Sequence, residues 1–486
     1  MQGNAACLNH NIYRRTMKIR HDYRRHALIA AATLLSFIVG CKKETDESID
    51  KTIENSETSV TAATGRTFTL GPDANGRLVI DNKSGTYKAG DIINLKGNFK
   101  AVFISNMSGT AAAPIKIQNA SGTVATIGDP SWTGSSGYPG AFSFDNCHYI
   151  KLGSPNGKNY MVINGATTSV REAYFNIHLG KHTDNFEIYN LSMNNGGTGI
   201  VAKTEPVKGD ASTAYPNSTM YNLSIHGISI NNTRNEAMYI GHTATYWDLT
   251  ANVPYYGATS GMTAGHQYVE PIKWYNVLIY GNTVSNSGLD GIQTAAIDKL
   301  EVHSNVVTNW ATQHNTAHNG GILIGGRTTN TNTHDNIVRN GWGELYQFYG
   351  SGTVHVVKNN LFADNESDGV SMRGAGGAAV QFVNNTVANV KGNTLRINGY
   401  SGQTGKNIVN NNVFIAPLKG VGTIYAKYYI YLENGAVATE GTGALANFKF
   451  ATIAASGVSA TNYYQVTNTS KTGGLLVGYV NLPGKL

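Results

Sequence analysis

Cysteine, proline and charged residues are all scarce in this chain, which excludes a disulfide framework and a proline-rich or charged linker. Of the 3 cysteines in 486 residues, only Cys147 lies beyond the first 41 positions, so a disulfide framework is excluded and a lone buried thiol is expected. With 11 prolines and 14% charged residues, the chain has no proline-rich or charged linker after about residue 67. One continuous body is therefore favoured over separate domains.

Long apolar runs are also missing. The longest in the N-terminal region, residues 27–39, is too short to anchor a chain across a bilayer, and it follows six basic residues, as in an export signal. Those six bases and Asp22 account for most of the formal charge of +7, which leaves about +2 on the rest of the chain. The charge therefore gives no reason to expect a nucleic-acid partner.

The end of this leader, Ile38-Val39-Gly40-Cys41, resembles the lipobox of bacterial lipoproteins. The resemblance implies lipidation of Cys41, and the charged run 42–47 is similar to the export tags of surface lipoproteins. We therefore expect a signal peptide over 1–41, a flexible tether over 42–66 and an outer-membrane or cell-surface location, with membrane contact through the lipid only. A start at Met17 would give a leader of more usual length.

Asparagine, in contrast, recurs at regular intervals. One column of asparagines has steps of 23, 31, 24, 25 and 26 residues, and a second column follows four residues later in most lines. The first column is Asn282, Asn305, Asn336, Asn360, Asn385 and Asn411, and the second is Asn286, Asn309, Asn340, Asp364 and Asn389. Periods of this length with short alternating strands, such as Gly291 to Thr294, predict a β-solenoid with one coil per repeat. Asparagine suits its corners because the amide donates to one stacked neighbour and accepts from the other, and because it tolerates left-handed backbone.

The repeats resemble those of right-handed parallel β-helix proteins of the pectate-lyase-like class. The stretches 89–95 and 108–117 look like the entry coils of the chondroitinase B and alginate lyase group. The implied fold class is all-β: a single-stranded right-handed parallel β-helix over 67–426, with capping strands before residue 90 and over 427–486. We expect a monomer.

Acidic residues recur just before the inward-facing residue of successive coils, at Glu236, Asp290, Glu344 and Asp368. Stacked about 4.8 Å apart, they would form a line of carboxylates that raise one another's pKa or bind a cation. The alternative is a row of solvated turn residues, since Asp commonly precedes Gly for backbone reasons.

Basic and aromatic residues surround this line in the sequence. Two long insertions, 203–220 and 242–271, carry aromatic rings that suit the apolar faces of sugars, although such loops can also simply cover the helix. As substrate-binding residues we predict His242, Trp247, Tyr255, Arg327 and Arg396. His318 lies in the loop ahead of Gly320-Gly321.

In the chondroitinase B and alginate lyase group one coil reads Glu-Ile-x-x-x-Lys-Ser and the next ends Leu-Thr-Leu-Arg-His-Gly. The corresponding coils here run from Glu344 to Gly350 and from Gly369 to Gly374. The resemblance makes Glu344 a calcium-site acid and Arg373 the catalytic arginine. Tyr349 stands in place of the family's lysine, and no histidine follows Arg373, so a tyrosine with a depressed pKa would have to serve as base.

Two reactions fit such a face. One is β-elimination of a uronate-containing glycan, with a cation on the sugar carboxylate and a base at the adjacent proton; the other is glycoside hydrolysis by two carboxyl groups. The predicted catalytic residues are Arg373, Tyr349, Asp368 and His318, and the predicted calcium ligands are Glu344 and Asp290. A non-catalytic glycan-binding or adhesin-like β-helix is the alternative, because fold alone does not choose.

Overall fold

The computed structural model describes residues 65–135, 139–399, 405–415 and 428–480. The predicted signal peptide, the lipidation site Cys41 and the tether up to residue 64 lie outside the described residues. The first strand begins at Thr67, as the sequence predicts. No helix in the described part of the chain is long and apolar enough to cross a membrane.

The chain winds into a parallel β-helix with three long sheets. Each coil contributes up to three strands, one to each sheet. The first sheet has 13 strands: Thr67–Leu70, Ile92–Leu95, Ile115–Asn119, His148–Gly153, Asp184–Tyr189, Thr219–His226, Lys273–Tyr280, Ile297–His303, Thr329–His334, Val354–Lys358, Ala379–Val383, Asn407–Asn410 and Ala438–Glu440. The second has 12: Gly97–Phe99, Ala125–Ile127, Met161–Asn164, Ser192–Asn194, Ser229–Asn231, Thr283–Ser285, Val306–Thr308, Ile337–Gly341, Leu361–Asn365, Thr386–Val390, Val413–Ile415 and Phe448–Phe450. The third also has 12: Arg77–Asp81, Ala101–Ser105, Gly140–Asp145, Phe175–Gly180, Thr198–Ala202, Met238–Ile240, Ile292–Thr294, Ile322–Ile324, Tyr346–Phe348, Val370–Met372, Leu395–Asn398 and Ile430–Glu433.

The predicted alternation between core and outer face is confirmed. In the third sheet Ile292, Ile322 and Val370 stack in register and are fully buried. Four strands of this sheet are nevertheless buried on both faces, among them Tyr346–Phe348 and Val370–Met372. Their outer side chains therefore lie under neighbouring loops, and the polar ones among them must find partners there.

A buried ladder of asparagine side chains joins the first sheet to the second. In each coil the side-chain amide donates to the side-chain oxygen of the next asparagine, at 2.9 Å from Asn282 to Asn305 and 3.0 Å from Asn305 to Asn336. The same amide also donates to a backbone carbonyl of the preceding coil, as Asn336 does to Val302 at 2.8 Å. Both ends of every amide are thus satisfied inside the protein, which is the pairing the sequence predicts.

The asparagine prediction is wrong in two details: which asparagine continues the ladder near residue 411, and which asparagines have left-handed backbone. The ladder continues through Asn412, not Asn411, and then to Asn447. Asn410, Asn411 and Asn412 are consecutive, and the choice among them depends on the strand register. Asn411 is instead in left-handed backbone, with φ 56°, as are Asn286 and Asn309 of the second column. Left-handed turns are therefore made by neighbours of the ladder asparagines.

The helix is longer than predicted at its C-terminal end. One further coil follows the predicted boundary at residue 426, with strands in all three sheets up to Phe450. The segment after it, 453–480, folds back on the outer side of the second sheet, where Tyr464, Val466 and Tyr479 are buried. The strands before residue 90 are likewise paired members of the first and third sheets.

Short elements complete the described chain. The insertion 242–271 forms an antiparallel sheet of Val253–Tyr255, Tyr246–Asp248 and Tyr268–Val269, and Val458–Ser459 pairs with Gln465–Val466. One helical turn, Ile453–Ser456, is accompanied by the 3-10 turns Asn82–Ser84, Arg171–Ala173, Ala211–Thr213, Thr259–Gly261, Gly443–Leu445, Ala460–Asn462 and Thr469–Thr472. Cys147 is buried and free, as predicted, and burial raises its pKa to about 12.

We expect Asn336→Ala to lower the free energy of unfolding by about 2–5 kcal/mol, because it removes the hydrogen bonds that Asn336 makes in the core to the Val302 carbonyl and to the backbone and side-chain N–H groups of Asn305. Guanidinium unfolding followed by circular dichroism measures the loss. The matched control is Asn309→Gly, at an exposed left-handed position of an adjoining coil, which should change the midpoint little. Equal midpoints for the two variants would contradict a stabilising ladder.

Candidate functional site on the outer face of the third sheet

The outer face of the third sheet carries most of the predicted site residues. On each of these coils three positions point outward: the second residue before the strand, the middle residue of the strand, and the first residue after it. Coils 344–349 and 368–373 are paired through Tyr346 to Val370 and Phe348 to Met372. The register therefore stacks Glu344 on Asp368 and Tyr349 on Arg373, about 4.8 Å apart along the helix axis.

The Glu344 cluster, as we call it, consists of Glu344, Gln347, Tyr349 and Arg373. The Arg373 guanidinium donates from Nη1 to the Tyr349 hydroxyl at 3.1 Å, and its Nη2 lies 3.8 Å from Glu344 Oε1. Gln347 Nε2 donates to Glu344 Oε2 at 2.6 Å. The Glu344 side chain is 9% exposed, whereas the Arg373 side chain is 34% exposed. The arginine and the phenol are thus the parts of this cluster that solvent and ligands can reach.

The pKa of Tyr349 in this cluster differs from the expectation. Burial raises the pKa of Tyr349; Arg373 opposes the rise, while Glu344 and Asp290 add to it. The depressed tyrosine pKa that the sequence prediction requires is therefore not found. Burial also raises the pKa of Glu344, against the attraction of Arg373. Both groups are held toward their protonated forms.

The next coil carries a second group, the Asp368 cluster of Asp368, Asn393, Arg396 and Glu433. Asp368 Oδ1 accepts from the backbone and side-chain amides of Asn393 at 2.6 and 3.0 Å. Arg396 is fixed between Asp368, at 3.5 Å, and Glu433, at 2.6 Å. Its side chain is 10% exposed, so this predicted substrate-binding arginine is already engaged by two carboxylates. Burial raises the pKa of Asp368.

On the other side of the Glu344 cluster lies the Asp290 cluster of Glu236, Asp290 and His318. The register of Met238 with Ile292 places the two acids on adjacent coils. His318 Nδ1 lies 3.5 Å from Asp290 Oδ2 and 3.7 Å from Glu236 Oε1. His318 thus faces these two acids and is not one of the groups paired with Arg373.

The predicted continuous line of carboxylates is wrong. The coil between Asp290 and Glu344 has Gly320 at the equivalent position, since Ile322 pairs with both Ile292 and Tyr346. The acids therefore form two separate pairs, two coils or about 10 Å apart. Glu344 and Asp290, the two predicted calcium ligands, belong to different pairs, and Glu344 faces Arg373 instead.

The insertion 242–271 is packed more tightly than the sequence suggests. Trp247 is 7% exposed and its ring meets the edge of His242 at 5.5 Å. His242 is also buried, which lowers its pKa to about 3, aided by Lys203 and Arg327. Arg327 donates to the Ala244 carbonyl at 3.3 Å and pairs with Glu270 at 3.2 Å. Trp247 and Arg327 therefore anchor the insertion through contacts within the protein, whereas His242 Nε2 is buried and has no hydrogen-bond partner among the described residues.

Tyr255 remains partly exposed, but its hydroxyl donates to the Ala258 carbonyl at 2.7 Å and its ring packs edge-on against Tyr268. Tyr256 beside it is 63% exposed. Of the aromatic residues in this insertion, Tyr256 therefore offers the more accessible ring.

Unpaired polar atoms are a further property of this face. Asp290 Oδ2, Gln293 Oε1, Ser371 Oγ and Arg373 Nε are buried and have no hydrogen-bond partner among the described residues. Buried polar atoms without partners are uncommon in folded proteins and point to ligands or solvent at the site. Gln347 and Ser371, which the sequence prediction missed, occupy the middle outward position of their strands. Strict alternation would have identified them.

A groove of about 650 Å³ lies elsewhere, on the outer face of the first sheet, along Lys151, Glu187, Glu301 and Asn332. Beside it five rings stack on successive coils at 4.7 to 6.0 Å: Tyr189, His226, Tyr280, His303 and His334. None of the predicted site residues lines it. Because the rings cover one another's faces, the stack leaves mainly ring edges for contact with a sugar.

The chain matches no protein-family model and no curated protein. Among solved structures it is similar to the GH136 lacto-N-biosidase of Eubacterium ramulus, with 14% identity, a TM-score of 0.50, and coverage of 79% of this chain and 68% of that one. It is also similar to an alginate lyase from Paenibacillus sp., with 14% identity, a TM-score of 0.39, and coverage of 77% and 99%. Such identities concern the fold alone. With its three long parallel sheets, the chain has a parallel β-helix fold.

Proposed function

We propose that this protein is a polysaccharide-active enzyme that cleaves a uronate-containing glycan by β-elimination on the outer face of the third sheet. The observation that carries the proposal is the contact between the Arg373 guanidinium and the Tyr349 hydroxyl at 3.1 Å, at the accessible edge of a buried acidic site. We further propose that the protein is held at the outer membrane or cell surface through Cys41.

Arg373 would bind the sugar carboxylate. Its side chain is 34% exposed and its Nη2 lies at the long distance of 3.8 Å from Glu344, so part of the guanidinium remains free to bind a second carboxylate. A guanidinium matches the two oxygens of a carboxylate and neutralises their charge, which makes the neighbouring ring proton more acidic. Glu344 lies behind the arginine and is itself held by a hydrogen bond from Gln347.

Tyr349 would transfer the proton. As the tyrosinate it removes the proton next to the neutralised carboxylate, and as the phenol it returns a proton to the departing glycosidic oxygen. The raised pKa of Tyr349 favours the donor form at neutral pH. The tyrosinate form becomes more abundant as the pH increases.

Hydrolysis is a second candidate, favoured by the buried carboxyl groups. Burial raises the pKa of both Glu344 and Asp368, which is the property of a general acid. Their coils are about 4.8 Å apart, near the carboxyl separation of retaining glycosidases, whereas Asp290 and Glu344 lie two coils apart, near that of inverting enzymes. Elimination is preferred because the accessible groups of the site are the arginine and the phenol.

We expect Arg373→Ala to reduce elimination of a uronic-acid polymer by at least about 100-fold, while the melting temperature changes by a few degrees at most, since a partly exposed arginine adds little stability. The ultraviolet absorbance of the unsaturated product measures the reaction. The control is Arg339→Ala, which removes an arginine paired with Asp364 at 2.8 Å on the second sheet and should leave the rate unchanged. Retained turnover in Arg373→Ala would remove Arg373 from the site.

The pH dependence separates the two reactions. Because the pKa of Tyr349 is raised, the tyrosinate fraction should increase about tenfold per pH unit and reach no plateau below the ordinary tyrosine pKa of about 10. Elimination, corrected for the uncatalysed reaction, should therefore rise through the alkaline range in the wild type and fail in Tyr349→Phe.

If Glu344 is instead a hydrolytic acid, new reducing ends should form without the unsaturated product, and the rate should fall as the pH increases. Binding without either product would identify a glycan-binding protein.

A further inference from the structure

The histidine–carboxylate distances in the Asp290 cluster are longer than those of the other histidine ion pairs among the described residues. Elsewhere in this chain histidine and carboxylate atoms meet at hydrogen-bond distance: His148 and Asp184 at 2.7 Å, and His266 and Asp248 at 2.7 Å. In contrast, His318 Nδ1 stands 3.5 Å from Asp290 and 3.7 Å from Glu236. Both distances exceed the usual 2.7–3.2 Å of a hydrogen bond, and a single nitrogen faces both acids.

These separations are those of atoms that share a metal ion. Ligand atoms placed about 2.1 Å from a tetrahedral centre are roughly 3.4 Å from one another. One atom each from Glu236, Asp290 and His318 lie within 4.8 Å of one another. The two distances from His318 Nδ1, 3.5 Å to Asp290 and 3.7 Å to Glu236, need only small shifts for the three ligand atoms to surround an ion.

Asp290 provides an independent indication of a ligand. Its side chain is fully buried, and its Oδ1 accepts from the Gly320 amide at 2.5 Å. Its Oδ2, the atom that faces His318, has no hydrogen-bond partner among the described residues. A buried carboxylate oxygen without a partner is costly, and a cation at this point would satisfy it. Lys203, a cation on the same side of the molecule, is paired with Glu205 at 3.0 Å and not with Asp290.

We propose that Glu236, Asp290 and His318 bind a divalent cation of the Zn²⁺ or Mn²⁺ type. Calcium prefers six to eight oxygen ligands, whereas an imidazole nitrogen with two carboxylates suits these other ions. The Gly320 amide donates to Asp290 Oδ1 and so orients the carboxylate, as hydrogen-bond donors behind the ligands do in metal sites. The His318 side chain is 44% exposed, so a fourth position faces solvent and can accept water or a ligand oxygen.

The site would lie on the same face as the Glu344 cluster, about two coils away. If the proposed function holds, the ion is placed to bind an oxygen of the next sugar in an extended glycan. Metal binding itself does not depend on that function, so the two can fail separately.

The test is calorimetric titration of the chelator-treated protein with ZnCl₂, MnCl₂ and CaCl₂, without substrate. We expect one Zn²⁺ or Mn²⁺ per chain and binding of Ca²⁺ at least about tenfold weaker. His318→Ala and Asp290→Asn should each weaken binding by about tenfold or more. The control is His314→Ala: this histidine lies in the same loop but stacks on Trp342 at 4.8 Å and should keep the wild-type affinity.

Co²⁺ gives a second readout, because its visible absorption reports bound geometry. The protein loaded with Co²⁺ should show bands that His318→Ala, a substitution of a partly exposed loop residue, abolishes while the protein stays folded. The proposal is overturned if wild type and His318→Ala bind the ions equally, or if Ca²⁺ binds more tightly than both Zn²⁺ and Mn²⁺. Arg373→Ala should retain metal binding, so loss of elimination in that variant tests the proposed function separately.

Discussion

The stacking of one coil directly on the next is the constraint on which this structure depends, and the buried asparagine ladder fixes its phase. Each ladder amide pairs with its neighbours above and below and with a backbone carbonyl. Because a slip of one residue would leave these groups unpaired in the core, every coil is held to the same register. Residues as distant in sequence as Glu236 and Asp290 thereby become neighbours on adjacent coils.

The inner and outer faces use polar residues in opposite ways. Inside, the ladder consists of neutral amides whose donors and acceptors are satisfied, so polarity costs little. On the outer face of the third sheet, carboxylates are buried and Arg373 is partly buried, and some of their atoms, including Asp290 Oδ2 and Arg373 Nε, have no hydrogen-bond partner among the described residues. Satisfied networks stabilise the fold, whereas incompletely satisfied ones are characteristic of sites that await a ligand. The candidate site therefore combines buried acids with unpaired polar atoms.

The long insertion also has a structural part. Its small antiparallel sheet is joined to the helix by Arg327, while Trp247 and His242 are packed within it. This arrangement keeps a wall beside the third sheet and leaves Tyr256 exposed. The aromatic content of the loop left a sugar-binding wall and a simple covering element as alternatives, and it did not reveal which rings remain accessible.

The sequence by itself determined the fold, because the asparagine period and the alternation of strands follow from local rules of backbone geometry and burial. It also placed Glu344, Tyr349 and Arg373 on neighbouring coils of one face, since coil stacking brings equivalent positions together. Only the tertiary structure decided that Gly320 splits the acids into two pairs, that Asn412 replaces Asn411 in the ladder, and that Arg396 and Trp247 are already engaged. Those outcomes depend on strand register and on contacts across coils, and neither is encoded in the spacing of residues along a single repeat.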